Sequence, residues 1–341
     1  MNLVMTTDKK MDYTLLVPAI LAGTPLTRHQ ALAVLRTSDA EALALFAAAW
    51  QLRRRFHGMR VQVQVLSNAK SGLCSEDCHY CSQSCVSHAE IARHPLKALD
   101  VMLADARHAR QLQARRFCMG LSGRTLTDGE VDALCNIIRA IKAEVGIAIC
   151  CSLGFLTPAQ TRRLRDAGLD RINHNLNSSE RHYPSICTTH TWAERVRNLE
   201  TCRAAGLEIC SGGIIGQGET DEDIVDMLLA LQRLGPDSIP VNFLIPVPGT
   251  PFEKMETGLT PMRCLKVLAL ARLLHPSADI RVAGGREVHL RSLQPMALYL
   301  ANSIFVNGYL TEAGQPQDEA LRMIADLGFE VEIEGAAQAG G

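Results

Sequence analysis

Three cysteines in one short segment are the residues of this 341-residue chain best suited to chemistry. Cys74, Cys78 and Cys81 have the spacing C-x3-C-x2-C. Thiolates are the usual ligands of iron–sulfur clusters, and four of them complete an ordinary four-iron, four-sulfur (4Fe–4S) site. Three thiolates leave one iron position open, and an open metal position is where a small molecule can bind and react. The segment therefore predicts a reactive iron–sulfur cluster.

The alternative to an iron–sulfur cluster is a zinc knuckle, with His79 or Cys85 as the fourth ligand. Structural zinc sites usually take their ligands from two separated pairs, whereas this segment has one closely spaced trio.

Tyr80 stands directly before the last cysteine of the trio. The trio and this tyrosine together resemble the cluster loop of the radical S-adenosylmethionine (radical SAM) superfamily. That resemblance implies that the three cysteines hold a 4Fe–4S cluster whose fourth iron is chelated by SAM.

The composition favours an intracellular protein without a polyanionic partner. The net charge is −1 and the isoelectric point is about 6.8, which gives no support for binding to nucleic acid or to an anionic membrane. Residues 1–10 lack the apolar segment of a signal peptide, and no apolar stretch is long enough to span a bilayer. Twelve cysteines in such a chain fit a reducing compartment and metal-binding or buried thiols. We therefore expect a cytoplasmic protein.

Short apolar runs alternate with amphipathic segments through most of the chain. The eight runs are 61–66, 116–119, 147–153, 171–176, 208–215, 239–245, 280–283 and 303–306. Capping boxes open several of the segments between them: Thr127 with Glu130, Thr157 with Gln160, and Thr191 with Glu194. Alternating strands and helices predict parallel strands, and eight of them predict an α/β fold of the (β/α)8 TIM-barrel type. An open doubly wound sheet is the alternative.

Three regions follow from this pattern. We expect residues 1–59 to form a helical N-terminal extension, residues 60–330 the barrel, and residues 331–341 a flexible C-terminal tail. Active sites of TIM barrels lie at the C-terminal ends of the strands. The cysteine trio follows the first predicted strand, so it is expected at that end of the barrel.

Several predicted strands carry sulfur, charge or amides where a dry barrel would carry aliphatic residues. Cys118, Cys150, Cys210 and Arg281 lie on four different strands. Side chains alternate along a strand, so only one of the neighbours Cys150 and Cys151 can face the lumen. Four amides are placed similarly, on the fourth and sixth predicted strands: Asn173, Asn175, Asn177 and Asn242. Amides both donate and accept hydrogen bonds and suit ribose hydroxyls, a urea group or a carboxylate, although an internal amide network is the other interpretation.

These segments together resemble the biotin synthase family within the radical SAM superfamily, from about residue 61 to residue 328. The motifs that carry the resemblance are CSEDCHYC (74–81), FCMG (117–120), CCSLG (150–154), NHNL (173–176), CSGGIIGQGET (210–220), Gly249-Thr-Pro, RVAGGRE (281–287) and ANSIF (301–305). The resemblance implies an enzyme, a sulfurtransferase that inserts sulfur into dethiobiotin to give biotin. It also implies a homodimer and a low-potential electron donor such as flavodoxin or ferredoxin.

The resemblance assigns roles to particular side chains. Cys74, Cys78 and Cys81 would hold the 4Fe–4S cluster, and Cys118, Cys150, Cys210 and Arg281 would hold a second, 2Fe–2S cluster. Tyr80, Asn175, Asn177, Ile214 and Ile245 would contact SAM, while Asn175, Asn242 and Thr311 would contact dethiobiotin. The residues alone favour a second role for Arg281, as a hydrogen-bond donor beside the cluster, because a protonated guanidinium has no lone pair for iron.

The chain departs from the family pattern at three positions, and two other functions are alternatives to sulfur insertion. Ser75 stands where the family commonly has proline, Asn177 where it often has aspartate, and Thr311-Glu312 where it often has two threonines. We expect Glu312 to point away from the substrate carboxylate, with Thr311 or backbone N–H groups binding it. The other functions are a radical SAM maturase or mutase without sulfur insertion, which three inward thiols argue against, and a non-enzymatic iron–sulfur protein.

Overall fold

The structure, a computed structural model, describes residues 11–72, 74–312 and 314–333. The strands in these residues are β1 (Arg60–Lys70), β2 (Arg116–Leu121), β3 (Ala148–Ser152), β4 (Arg171–Asn173), β5 (Glu208–Cys210), β6 (Gly213–Ile215), β7 (Ser238–Phe243), β8 (Asp279–Val282), β9 (Ser303–Phe305) and β10 (Glu330–Val331). Each predicted apolar run overlaps at least one of them.

The described helices precede the barrel or connect its strands. They are α1 (Tyr13–Leu21), α2 (Arg28–Leu35), α3 (Ala42–His57), α4 (Leu99–Gln111), α5 (Asp128–Glu144), α6 (Pro158–Asp166), α7 (Trp192–Ala204), α8 (Asp221–Leu234), α9 (Pro261–Leu274), α10 (Arg286–Leu290), α11 (Gln294–Ala297) and α12 (Gln317–Asp326). The capping boxes predicted at the starts of α5, α6 and α7 are all formed. Each satisfies backbone N–H groups that a helix start leaves without an intrahelical partner.

The sheet is parallel and closes on itself. The strands pair in the order β1-β2-β3-β4-β5-β7-β8-β9, and β9 pairs back with β1, with Gln62 opposite Ser303. Closure confirms the (β/α)8 barrel and excludes the open doubly wound sheet. The fifth predicted strand is divided into β5 and β6, which both pair with β7. At the break, a Cβ on Gly212 would lie 1.9 Å from the carbonyl oxygen of Pro240, so this close approach requires glycine.

The N-terminal helices pack against the outer helices of the barrel through ion pairs and buried cations, of which Arg53 is one. Arg28 of α2 pairs with Asp226 of α8 at 2.6 Å. Arg53 of α3 is fully buried and donates hydrogen bonds to the carbonyl oxygens of Leu298 and Arg60 at 3.1 and 2.6 Å. The helices α1–α3 fall within the predicted extension, and the division into three regions stays a prediction.

The end of the chain reaches back to the first strand. β10 pairs with β1, with Val331 opposite Val61. Residues 334–341 of the predicted C-terminal tail lie outside the described residues. Among the described helices, none combines the length and the hydropathy that a membrane crossing requires.

Candidate active site

One cavity of about 280 Å³ opens at the C-terminal end of the barrel and brings most of the predicted site residues together. Ten of them line it: Tyr80, Cys81, Cys118, Cys150, Asn175, Ile214, Asn242, Ile245, Arg281 and Thr311. These side chains come from the cluster loop, from five strands and from the loops that follow β4, β7 and β9. Their convergence follows from strand alternation, which turns every second side chain of each strand into the lumen.

The cysteine trio lies in the loop that follows β1. Cys78 is buried, Cys74 and Cys81 are half-buried, and none of the three is in a disulfide. Burial raises the pKa of the Cys81 thiol to about 11, and the neighbouring Cys74 contributes in the same direction. Three reduced, mutually interacting thiols in one loop are a donor set that fits an iron–sulfur cluster with one open iron position. Leu73 lies outside the described residues.

The two residues suggested as a fourth zinc ligand have other surroundings. His79 packs edge-on against Phe252, with ring centroids 5.4 Å apart. Cys85 is exposed. Within the described residues, the cluster of side chains that could hold a metal ion by geometry alone contains neither of them; it consists of Cys78, Cys187 and His190.

Strand alternation predicts that Asn173, Asn175 and Asn177 share one face, but in the structure they do not all do so. β4 ends at Asn173, and Asn177 has a φ of +68°, so the chain has left the extended conformation there. Asn173 and Asn175 line the cavity, whereas Asn177 is buried and donates a 2.7 Å hydrogen bond to the Tyr80 hydroxyl. Asn175 accepts a hydrogen bond from the backbone N–H of Gly212 at 3.1 Å, which fixes its carbonyl oxygen.

Deeper in the lumen, three thiols form a separate cluster. Cys118, Cys150 and Cys210 are buried together, with Leu66 and Phe305 packed against them. A hydrogen bond from Cys150 lowers the pKa of Cys118, against the effect of burial. Cys151 faces the other way and belongs to the main hydrophobic core between strands and helices. The orientation predicted for the pair Cys150 and Cys151 is therefore confirmed.

Arg281 approaches this thiol cluster from β8. Its Nη1 lies 3.8 Å from Cys210 Sγ, and its other nitrogens donate to the hydroxyls of Ser303 and Ser238 at 3.3 and 3.2 Å. The guanidinium also lies over the Phe305 ring, 5.0 Å from its centroid. Three thiols and one guanidinium in a closed lumen fit a thiolate-bound iron–sulfur cluster with a cationic neighbour.

Beneath the thiols, the lumen ends in a charged layer that the sequence interpretation missed. Arg116 and Arg171 are buried, and both donate to the carboxylate of Glu208, at 2.9 and 2.7 Å. The register places Arg171 beside Cys150 on the neighbouring strand. Arg116, Glu208 and Asp279 lie two residues before Cys118, Cys210 and Arg281, so strand alternation could have indicated this layer.

A second missed network lies under the cluster loop. Arg195, in the first turn of α7, is buried and donates to the backbone carbonyl of Asn175 at 2.9 Å. Its Nε contacts His190 Nε2 at 3.1 Å, and His190 Nδ1 is hydrogen-bonded to Glu76. Burial alone would raise the pKa of Glu76, but hydrogen bonds from Thr189 and from His190 outweigh it and lower the pKa. The network therefore places the cation of Arg195 and the carboxylate of Glu76 close to the cysteine trio.

The loop after β9 covers one side of the cavity. A Cβ on Gly120 would lie 2.3 Å from Leu310 Cδ2, so the Leu310 side chain sits directly on the end of β2. The Thr311 hydroxyl is 2.8 Å from that of Ser82 in the cluster loop. Glu312 also borders the cavity, and its expected orientation away from the substrate stays a prediction. On β7, Asn242 accepts from the N–H of Gly284 at 3.0 Å and donates to the carbonyl of Gly213 at 3.1 Å.

Two family models match the chain and together cover most of the barrel after β1. The Radical SAM superfamily model matches residues 70–231, from the cluster loop through α8 for most of its length. The model of the Biotin and Thiamin Synthesis associated domain matches residues 240–330, which contain β8 and β9 and the loop that covers the cavity.

Curated relatives match over nearly the full length. The biotin synthase of Geobacillus kaustophilus is 47% identical over 329 residues, which is 96% of this chain and 98% of the relative. The biotin synthase of Streptomyces avermitilis is 52% identical over 313 residues, which is 92% of this chain and 80% of the relative.

Solved structures share the fold at low identity. Methylornithine synthase superposes with a TM-score of 0.78 at 18% identity, covering 93% of this chain and 97% of that one. The FeFe-hydrogenase maturase HydG from Carboxydothermus hydrogenoformans superposes with a TM-score of 0.81 at 19% identity, covering 95% and 80%. At such identities the likeness establishes the barrel fold alone. The two family models and the full-length relatives go further, and the chain belongs to the biotin synthase family of the radical SAM superfamily.

Proposed function

We propose that this protein catalyses the insertion of sulfur into dethiobiotin to give biotin. The observation that carries this proposal is the position of the two thiol sets. A single cavity borders Cys81 of the cluster loop at its mouth and Cys118 and Cys150 at its base. A substrate in that cavity would lie between a site for radical generation and a site for sulfur.

Two kinds of cofactor complete the site. Cys74, Cys78 and Cys81 would hold a 4Fe–4S cluster, while Cys118, Cys150 and Cys210, with Arg281 beside them, would hold a 2Fe–2S cluster. When bound, the reduced 4Fe–4S cluster and SAM supply a 5′-deoxyadenosyl radical, and the 2Fe–2S cluster supplies sulfide to the substrate. The chain's own task is to bind, orient and enclose the reacting molecules.

SAM would bind at the mouth of the cavity. Ile214 and Ile245 offer apolar faces for the adenine ring, and Tyr80 stands beside the last cysteine. The hydrogen bond from Asn177 holds Tyr80 at that position, and Asn177 has hydrogen-bonding capacity left for a ribose hydroxyl. The side chain of Asn175, fixed by Gly212, would reach both the ribose and the substrate.

Dethiobiotin would lie deeper, between the amides and the thiol cluster. Asn175 and Asn242 both line the cavity and present amide groups that match the donors and acceptors of a ureido ring. Thr311, in the covering loop, would bind the carboxylate tail. Leu310 and Phe243 line the same cavity with apolar surface, which helps to exclude water from a reactive radical.

The most informative test counts iron and sulfide in anaerobically reconstituted protein and then measures turnover of dethiobiotin. Content matching one 4Fe–4S and one 2Fe–2S cluster per chain, with biotin formed, is the expected result. Rebuilding only the second cluster with labelled sulfide should place the label in the first biotin made. Unlabelled biotin with the labelled cluster intact would contradict the role of this cluster as donor. SAM cleavage without biotin would instead favour a radical SAM maturase or mutase.

We further propose a homodimer reduced by a flavodoxin or a ferredoxin, which the family membership supports. Sedimentation would compare the mass in solution with the 37.2 kDa of one chain. Replacing a chemical reductant by flavodoxin or by ferredoxin in the turnover assay would test each donor separately.

A further inference from the structure

The loop after the short 3-10 helix Tyr183–Ser185 is bound tightly to the cluster loop. The N–H of His79 donates to the carbonyl of Ile186 at 3.0 Å, and the N–H of Thr188 donates to Asp77 Oδ1 at 2.9 Å. The N–H of Asp77 in turn donates to the Thr189 hydroxyl at 3.2 Å. We call residues 186–190 the clamp loop, because these bonds hold it against residues 76–79.

The clamp loop brings a fourth thiol to the cysteine trio. Cys187 is buried, and its Sγ lies 3.8 Å from that of Cys78, which is also buried. The two residues are 109 positions apart in the chain. A disulfide requires its sulfurs to be about 2.05 Å apart, so bond formation requires the two sulfurs, now 3.8 Å apart, to move closer within this pair of held loops.

A metal ion held by Cys78, Cys187 and His190 is the competing interpretation of the same cluster, since their ligand atoms lie within 4.8 Å of one another. Both nitrogens of the His190 ring already have partners, however. Nδ1 is bonded to Glu76, and Nε2 accepts from the Tyr183 hydroxyl at 2.7 Å and faces Arg195 Nε at 3.1 Å. The imidazole has no lone pair left for a metal while this network is intact.

We infer that Cys78 and Cys187 form a reversible disulfide when the chain has lost its iron–sulfur cluster and meets hydrogen peroxide. One thiol is oxidised by peroxide to a sulfenic acid and releases one water molecule. The second thiol attacks that sulfur, the S–O bond breaks, and a second water molecule leaves. The two thiols lose two electrons to the peroxide in total, and both of their protons end in water.

This disulfide has two consequences for the cluster site. It occupies Cys78, so a cluster that needs three thiolates cannot reassemble until the bond is reduced. It also holds the sulfur of Cys78 in a reducible form, whereas a thiol without a neighbour can be oxidised further to a sulfinic acid that thiol reductants do not reverse. These consequences rest on the ligand role proposed for Cys78; formation of the bond does not.

The test uses the full chain, stripped of iron by a chelator without oxygen and treated with one equivalent of hydrogen peroxide. Trypsin separates the two cysteines into peptides 71–93 and 182–195, and fragmentation identifies the linked residues after free thiols have been alkylated. We expect a Cys78–Cys187 link and a severalfold loss of iron uptake on reconstitution, restored by dithiothreitol. Cys187 in alkylated form, or Cys78 linked to Cys74, Cys81 or Cys85, would overturn the inference.

Two variants sharpen the result. In Cys187→Ser the link is absent. When both proteins are treated with two equivalents of hydrogen peroxide, the amount that oxidation of one thiol to a sulfinic acid consumes, we expect sulfinic acid at Cys78 of the variant and severalfold lower iron recovery after dithiothreitol than in the wild type. Equal recovery in both proteins would remove the protective role. Cys85→Ser, which changes the exposed neighbouring thiol, should behave like the wild type. Peptide mapping of the wild type decides the inference even if Cys187→Ser folds poorly, and it requires no enzymatic activity.

Discussion

The cysteine trio of the cluster loop and the three thiols of the lumen have different neighbouring side chains. The trio of the cluster loop lies at the mouth, beside a buried cation, Arg195, and two neighbouring loops. The lumen thiols lie among strand residues, above the paired guanidinium groups of Arg116 and Arg171. Cationic neighbours offset the negative charge that thiolate ligands bring into a buried site. A change at one residue should therefore affect one set of thiols and leave the other set in place.

Each cysteine of the trio should be required for cleavage of SAM. Replacing Cys74, Cys78 or Cys81 with alanine leaves two thiolates, and loss of a ligand should cost more than the roughly 10–100-fold typical of the residues around a metal site. Release of 5′-deoxyadenosine from SAM under a chemical reductant measures the effect. The exposed Cys85 is the control, because Cys85→Ala should retain cleavage. A cluster kept in Cys81→Ala and lost in Cys85→Ala would show that the ligands are assigned wrongly.

The adjacent residues Cys150 and Cys151 give a matched pair for the second cluster. Cys150→Ala should leave SAM cleavage possible and eliminate biotin, because it removes a thiol that lines the cavity. Cys151→Ala removes a small buried side chain of the hydrophobic core and should cost about 1 kcal/mol of stability while biotin still forms. Assays of both products on both variants distinguish the roles. Biotin formation by Cys150→Ala would remove Cys150 from the proposed sulfur site.

Glu312 should have little influence on dethiobiotin binding. Two carboxylates about 4 Å apart repel by roughly 4 kcal/mol at an effective dielectric constant near 20, so a glutamate facing the substrate tail would weaken binding severely. We therefore expect Glu312→Thr to leave the dissociation constant nearly unchanged, measured by isothermal titration with SAM present. Tightening by about two orders of magnitude, equivalent to roughly 3 kcal/mol, would show that the carboxylate does face the tail.

At the scale of elements, the site depends on loops that are held by partners distant in sequence. Asp77 of the cluster loop accepts from the backbone N–H groups of Thr188 and Thr189 at 2.9 and 3.2 Å. Burial alone would raise the pKa of Asp77, but hydrogen bonds from Thr188 outweigh it and hold the pKa far below its usual value. The carboxylate thus remains ionised and ties the clamp loop to the cluster loop.

Removing that carboxylate should loosen the clamp loop. Hydrogen bonds to a charged group are worth about 1.5–3 kcal/mol, so Asp77→Ala should raise amide hydrogen exchange at Thr188 and Thr189 by about ten- to a hundredfold. Asp170→Ala is the control: its carboxylate accepts from the N–H of Ile149 at 2.7 Å, at the start of β3. That variant should speed exchange at Ile149 alone. Unchanged exchange of Thr188 in Asp77→Ala would show that other contacts hold the loop.

Local patterns predicted the elements well, and long-range contacts explain what they missed. The capping box of Thr127 and Glu130 depends on residues three apart, and it is formed as expected. The inward thiols followed from a period of two within single strands. The break at Gly212 depends instead on the backbone of Pro240, and the clamp loop depends on residues more than a hundred positions earlier. A local sequence pattern in one segment cannot reveal a contact with a segment that is distant in the chain.

At the scale of the whole molecule, buried cations join the N-terminal helices to the barrel. Arg53 of α3 and Arg272 of α9 are fully buried. Burial lowers the pKa of Arg53 to about 10 and that of Arg272 to about 9, so both remain charged at neutral pH. Their partners are mainly backbone carbonyls, such as that of Leu300, which accepts from Arg272 at 3.0 Å. His57, at the end of α3, lies 3.0 Å from Arg272 Nη1, so its ring must be neutral to accept this hydrogen bond.

This arrangement makes stability fall as the solution is acidified. Burial, and then the charge of Arg272, lower the pKa of His57 to about 3, whereas an unfolded histidine titrates near 6.5. Between these two values the unfolded chain binds the additional proton, so the free energy of unfolding decreases with falling pH by up to about 1.4 kcal/mol per pH unit for this histidine. His57→Gln, which keeps an acceptor for Arg272, should lose that part of the dependence. Urea unfolding of the reduced full chain at pH 7, 6 and 5 measures this dependence of the free energy of unfolding on pH.

His29→Gln, on the exposed side of α2, is the control and should follow the wild type. If His57→Gln also follows the wild type, His57 is protonated in the folded chain, and the buried contact with Arg272 does not hold the helices to the barrel as described.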